Sequence, residues 1–134
     1  MKQTIQVGTA TGVFDIPDGS RLPSVRGRGR LPPGEMNKLE TAYSTHLEYR
    51  RMQGEVLWWK FEGITLKLAK DTRITPDFAV MLADGSIELH EAKGHWEDDA
   101  LVKIKVAAVM FPLAFIAVSR GSSADGGGWN FRRF

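Results

Sequence analysis

Hydrophobic and polar positions recur along this chain with two periods, one helical and one of strands. Met36, Glu40, Tyr43 and Leu47 fall on a single helical stripe. Asn37 with Glu40 three residues on is a capping-box pattern, and Gly54 punctuates the far end. The spacing predicts a helix over residues 37–53, with His46, Arg50 and Arg51 facing water. Two short runs follow, 56–61 and 64–68, joined at Glu62-Gly63. In the first, Trp58 and Trp59 face opposite sides and serve as core anchors; a base-stacking role for one of them is the alternative. Residues 78–82 and 86–90 have strand length and composition and flank Ala83-Asp84-Gly85. Pro76, which donates no hydrogen bond, belongs at the start of the first of these strands. Acidic Glu97, Asp98 and Asp99 suit a helix start, and this second helix runs to about Met110, before Pro112. Leu101, Ile104 and Ala108 form one stripe on it; Val102, Val106 and Val109 form another. Being apolar nearly all round, it is expected to be largely buried, with Lys103 and Lys105 as exceptions. The unbroken run 113–118 reads as a strand buried on both faces, reached by a helical crossover.

Register decides what the central hairpin carries, because a one-residue slip moves every side chain to the other face. A two-residue loop, Asp84-Gly85, would place Asp77 against Ala92 and split the carboxylates of Asp77 and Glu91 between faces. A three-residue loop with Gly85 in the left-handed conformation sets Leu82 against Ser86 and Asp77 against Glu91. Lys93 then shares their face, which is apolar near the turn and charged at the far end. The three-residue loop is the expectation adopted here.

That arrangement has a chemistry. Two carboxylates close together bind Mg²⁺ or Mn²⁺, which prefer oxygen ligands. The backbone carbonyl of Ala92 lies between Glu91 and Lys93 and offers another oxygen. A neighbouring ammonium orients or deprotonates a water and stabilises charge on a phosphorane-like centre, and water on such a cation is a better nucleophile than bulk water. The plain alternative is an edge hairpin with a surface Glu-Lys pair and an aspartate capping a turn.

Pro76-Asp77 followed by Glu91-Ala92-Lys93 on the next strand resembles the signature of the PD-(D/E)XK nuclease superfamily. Thr75 before it and Gly94 after it are common in phage-encoded and junction-resolving members. The resemblance implies an α/β fold with a restriction-endonuclease-like α-β-β-β-α-β core, a mixed sheet flanked by helices. It implies Mg²⁺- or Mn²⁺-dependent hydrolysis of DNA phosphodiesters. Asp77 and Glu91 would hold the metal with the Ala92 carbonyl, and Lys93 would serve the attacking water. A glutamate on the first core helix often joins such sites; Glu40 matches by position, against its simpler reading as a capping residue. In similar nucleases a lysine from the second helix lies over the scissile phosphate, the role open to Lys103 or Lys105, against the plain i, i+4 pairing of Asp99 with Lys103. His95 and Trp96 would meet the DNA backbone at the mouth of the site.

The 134 residues and a hydrophobic fraction of 43% suit one domain. The expected division is an extension over 1–36, the core over 37–119 and a Gly-rich tail over 120–134. The chain has no cysteine, which excludes disulfides and thiolate zinc sites. No signal segment is visible, and the longest apolar run, 106–118, falls short of the ~20 residues a spanning helix needs. A cytoplasmic protein with no membrane partner is therefore expected. The net charge of +2 is mild, so DNA binding has to rest on where the charges sit. Short strands are expected at 4–7 and 13–16, then a turn at 16–19. Arg21, Arg26, Arg28 and Arg30 lie among glycines and prolines, as a basic arm on DNA phosphates or as a solvated linker. Arg132 and Arg133 end the chain among aromatics, which either fold back on the core or touch DNA.

The function expected is a metal-dependent DNA endonuclease, structure-selective or weakly sequence-specific, acting for example on branched DNA and as a homodimer where two strands are cut. The rivals are a DNA-binding or accessory protein with a catalytically degenerate nuclease fold, and a partner-binding protein whose hairpin charges are surface pairs.

Overall fold

A computed structural model describes residues 2–7, 10–15 and 31–134, with side chains described from residue 31 onward. Strands β1 (Lys2–Val7) and β2 (Ala10–Asp15) pair antiparallel as a separate hairpin. The turn expected at 16–19 and the arm carrying Arg26, Arg28 and Arg30 lie outside the described residues.

Helix α1 (Lys38–Met52) starts where the capping box places it. Asn37 Oδ1 accepts from the Glu40 N–H at 2.8 Å, and Glu40 Oε2 accepts from the Asn37 N–H at 2.8 Å. It ends at Gln53, where Gly54 takes φ +80°. Strand β3 (Val56–Phe61) follows. The second strand expected at 64–68 is β4 (Leu66–Ala69), which turns at Asp71 into β5 (Thr72–Ile74). That antiparallel pair stands apart from the main sheet. Then come β6 (Phe78–Leu82), β7 (Ile87–Ala92), helix α2 (Asp98–Met110), β8 (Ala114–Arg120) and β9 (Trp129–Arg133). The main sheet is mixed, in the order β3-β6-β7-β8-β9. Only the β7–β8 pairing is parallel, and α2 makes that crossover. Residues 129–133, read from sequence as tail, are thus the sheet's edge strand.

Each face of the sheet is covered. On one, Tyr43 and Leu47 of α1 pack on Val56, Phe78, Val80, Ala92, Ile116 and Val118. On the other, Ile104 and Ala107 of α2, with Ile64 and Leu66, pack on Ala79, Ile87, Leu89 and Phe115. Trp58 joins this second side and Trp59 the first, as their adjacency on a strand requires. β8 is buried from Phe115 to Val118, as a central strand with both faces covered should be.

Three expectations need correction. Helix α2 is not largely buried: Val102 is 59% and Val109 89% exposed, because the helix lays one stripe on the sheet and turns the other outward. His46 and Arg50 are half-buried: His46 packs among Tyr43, Trp129 and Phe131, since β9 brings two rings to α1, and Arg50 Nε bonds the Glu55 carboxylate at 3.0 Å. Pro76 is buried and stands two residues ahead of β6, not at its first position. Among the described residues no helix is long and apolar enough to cross a membrane.

Candidate active site

The β6–β7 hairpin has the three-residue loop. Leu82 N–H donates to the Ser86 carbonyl at 2.9 Å, and Gly85 sits at φ +85°. Asp84 Oδ1 holds the turn from inside, accepting from the Ser86 N–H at 2.9 Å and from its hydroxyl at 2.6 Å. Met81 faces Ile87, Ala79 faces Leu89 and Phe78 faces His90. One step beyond the last paired residues, the Asp77 and Glu91 side chains are within hydrogen-bonding reach.

The two carboxyls share a largely dry place near the start of α1. Glu91 is buried, and the Ala92 N–H donates to Asp77 Oδ2 at 2.9 Å. Burial raises the Asp77 pKa to about 7; the charge of Glu40 adds to it, while the Ala92 N–H and Lys93 oppose it. Burial also raises Glu91 well above the usual carboxylate range, with the charge of Asp77 second and Lys93 opposing. Two carboxylates forced together in a dry site are an incomplete charge balance, which one proton or one cation can correct. The donor set is all oxygen and suits a hard divalent ion better than a thiophilic one.

Glu40 keeps its place in the capping box and is near enough for its charge to act on Asp77. The two roles expected of it are therefore compatible. Glu62, which the sequence reading passed over as part of a turn, is also at hand. Its N–H donates to the Asp77 carbonyl at 2.7 Å, its carboxylate accepts from the Gly34 N–H at 3.0 Å, and its charge pushes Asp77 up. A non-glycine residue at φ +48° directly after a strand was the signal available, and it is visible only in the folded backbone. Among the described residues no three His, Asp or Glu side chains are gathered closely enough to hold a metal by themselves. A cation at Asp77 and Glu91 would complete its shell with the Ala92 carbonyl and water, as Mg²⁺ commonly does.

Lys93 follows on the same face, half-buried, with Nζ 5.5 Å from the centre of the Trp96 ring. His95 is exposed beside Glu97, at 3.7 Å. Lys103 and Lys105 are exposed on α2, and Arg132 and Arg133 are exposed on β9. The hairpin thus brings Asp77, Glu91, Ala92 and Lys93 together, with Trp96 against Lys93.

A second polar group, unforeseen in the sequence, lies on the other face of β7. His90 is buried; Nδ1 meets the Tyr43 hydroxyl at 2.6 Å and Nε2 the Glu88 carboxylate at 2.8 Å. It ties α1 to β7, the two elements that carry Glu40 and Glu91. A histidine in this mixed strand gives no hint of its partner forty-seven residues away.

No family model, no curated protein and no solved structure matches this chain.

Proposed function

We propose that this protein is a divalent-metal-dependent deoxyribonuclease that hydrolyses phosphodiester bonds at Asp77, Glu91 and Lys93. The observation that carries the reading is the hairpin register, which sets the buried Glu91 and the half-buried Asp77 carboxyls side by side with an ammonium two residues on. The α/β architecture, with a mixed five-stranded sheet between two helices, is compatible with this reading.

Asp77 and Glu91 would hold Mg²⁺ or Mn²⁺, with the Ala92 carbonyl as a further oxygen. Glu40 adds negative charge from the start of α1, directly or through water. A bound divalent ion supplies Lewis-acid activation of water and neutralises charge on the phosphate. Lys93 orients the attacking water and stabilises charge on the phosphoryl oxygens. His95 and Trp96 border the mouth of the site, and Lys103, Lys105, Arg132 and Arg133, with Arg26, Arg28 and Arg30 of the arm, meet backbone phosphates. So small a chain has limited surface for reading bases, which favours structure-selective or weakly specific cleavage, as at branched DNA. One site per chain nicks; a homodimer would cut both strands.

Plasmid and branched-DNA cleavage with Mg²⁺ or Mn²⁺ tests this beside Asp77→Ala and Lys93→Ala. Nicking that requires metal and disappears in both variants is the expected result. The second reading is a DNA-binding module with a degenerate site. It predicts equal inertness of wild type and variants with DNA binding intact.

A further inference from the structure

The strand that the sequence did not announce extends the active face. Glu91 on β7 stands beside Ala117 on β8, and Ala117 beside Arg132 on β9. Neighbours in one row of a sheet project to the same face, so Arg132 lies in line with the carboxyl pair, two strands or about 10 Å away. In the adjoining row Ser119 pairs with Asn130, next to Lys93, whose N–H donates to the Val118 carbonyl at 3.0 Å. Between these side chains the sheet carries only two small residues, the buried Ala117 and the half-buried Ser119. One end is closed by aromatic rings: Trp96 and Phe134 have centroids 5.6 Å apart. Lys93 Nζ lies 5.5 Å from the Trp96 ring, and Arg132 Cζ 5.0 Å from the Phe134 ring. Both rings are half-buried, with their inner parts in the α2-side core.

We propose that this strip is a subsite for one unpaired nucleotide of the DNA strand being cut. Arg132 takes the phosphate next to the scissile one, and Asn130 and Ser119 bond the sugar-phosphate between them. The base lies against the rings of Trp96 and Phe134. An aromatic surface accepts any base, but only one whose face is free; in a duplex both faces are already stacked. The inference rests on the nuclease reading for the position of the scissile phosphate. It makes the preferred substrate DNA with unpaired nucleotides at the cut, such as a flap, a junction or a single strand.

The test uses the full chain and a short fluorescent oligothymidine, compared with a duplex hairpin of equal length. Arg132→Ala is expected to weaken oligothymidine binding roughly tenfold and duplex binding much less, with Arg132→Lys recovering part of the loss. Phe134→Leu is expected to reduce the single-strand preference, whatever its lost core contacts do to the thermal midpoint. If the rings only cap the core, Phe134→Leu moves the midpoint and leaves the preference alone; that result, or equal losses on both probes, overturns the subsite. Metal-dependent plasmid nicking by wild type and Asp77→Ala is run in parallel. Nicking lost in Asp77→Ala with no single-strand preference in any variant keeps the nuclease reading and sinks the subsite. Asp77→Ala nicking like wild type, with Arg132-dependent oligothymidine binding intact, sinks the catalytic reading and keeps the subsite.

Discussion

At the level of single residues, Asp77 and Glu91 form a carboxyl pair that burial and their mutual charge raise above the ordinary range. A raised carboxyl pKa means that the folded protein holds protons the unfolded chain has released. Metal-free stability should therefore be full in acid up to the ordinary carboxylate range, roughly pH 4. It should fall as pH climbs toward the raised Asp77 value of about 7 and beyond. Asp77→Asn removes the repulsion and should stabilise the metal-free protein by roughly 2 kcal/mol at neutral pH while abolishing cleavage. Thermal melts across pH, with chelator and with Mg²⁺, check both points; Mg²⁺ should flatten the wild-type decline and leave the variant unmoved. Glu40 permits a cleaner separation, since glutamine can still close a capping box. Glu40→Gln should melt near wild type yet need more Mg²⁺ and cut about tenfold more slowly, the loss expected of one outlying negative charge.

At the level of elements, the central hairpin was legible because its turn chemistry and its alternation agreed with each other. Asp84 and Gly85 fixed the loop, the loop fixed the register, and the register fixed the acid pair. Gly85→Ala should cost about 1 kcal/mol, read as a lower thermal midpoint, since the φ of +85° is poorly tolerated by a residue with a Cβ. The helix caps were legible for the same local reason. What stayed hidden was long-range. β9 follows a glycine-rich connection that resembles a tail, and its pairing with β8 is a property of the sheet edge, not of its own five residues. The outward valines of α2 were misread because a composition apolar all round does not reveal which stripe finds a partner. The Tyr43–His90–Glu88 link was hidden too. Tyr43→Phe, which strands a buried His90 nitrogen, should destabilise by about 1–2 kcal/mol in denaturant melts.

For the whole molecule, charge placement matters more than charge total. With a net charge of only +2, the phosphate affinity that the proposed function requires has to come from cations grouped near the site. Lys93, Arg132, Lys103 and Lys105 lie among the described residues, whereas Arg26, Arg28 and Arg30 lie outside them. Each phosphate contact contributes about 0.9 to the slope of log affinity against log salt on duplex DNA. If the three arm arginines lie on phosphates, replacing all of them with glutamine should lower that slope by roughly 2.7 and weaken binding equally on unrelated sequences. The slope is the better readout than affinity at one salt concentration, because it counts contacts and is insensitive to small losses of folded protein. An unchanged slope would assign the arm to a linker's role and leave DNA capture to the sheet face. In that event Arg132, in line with the acid pair, becomes the cation whose removal should change the slope most per charge.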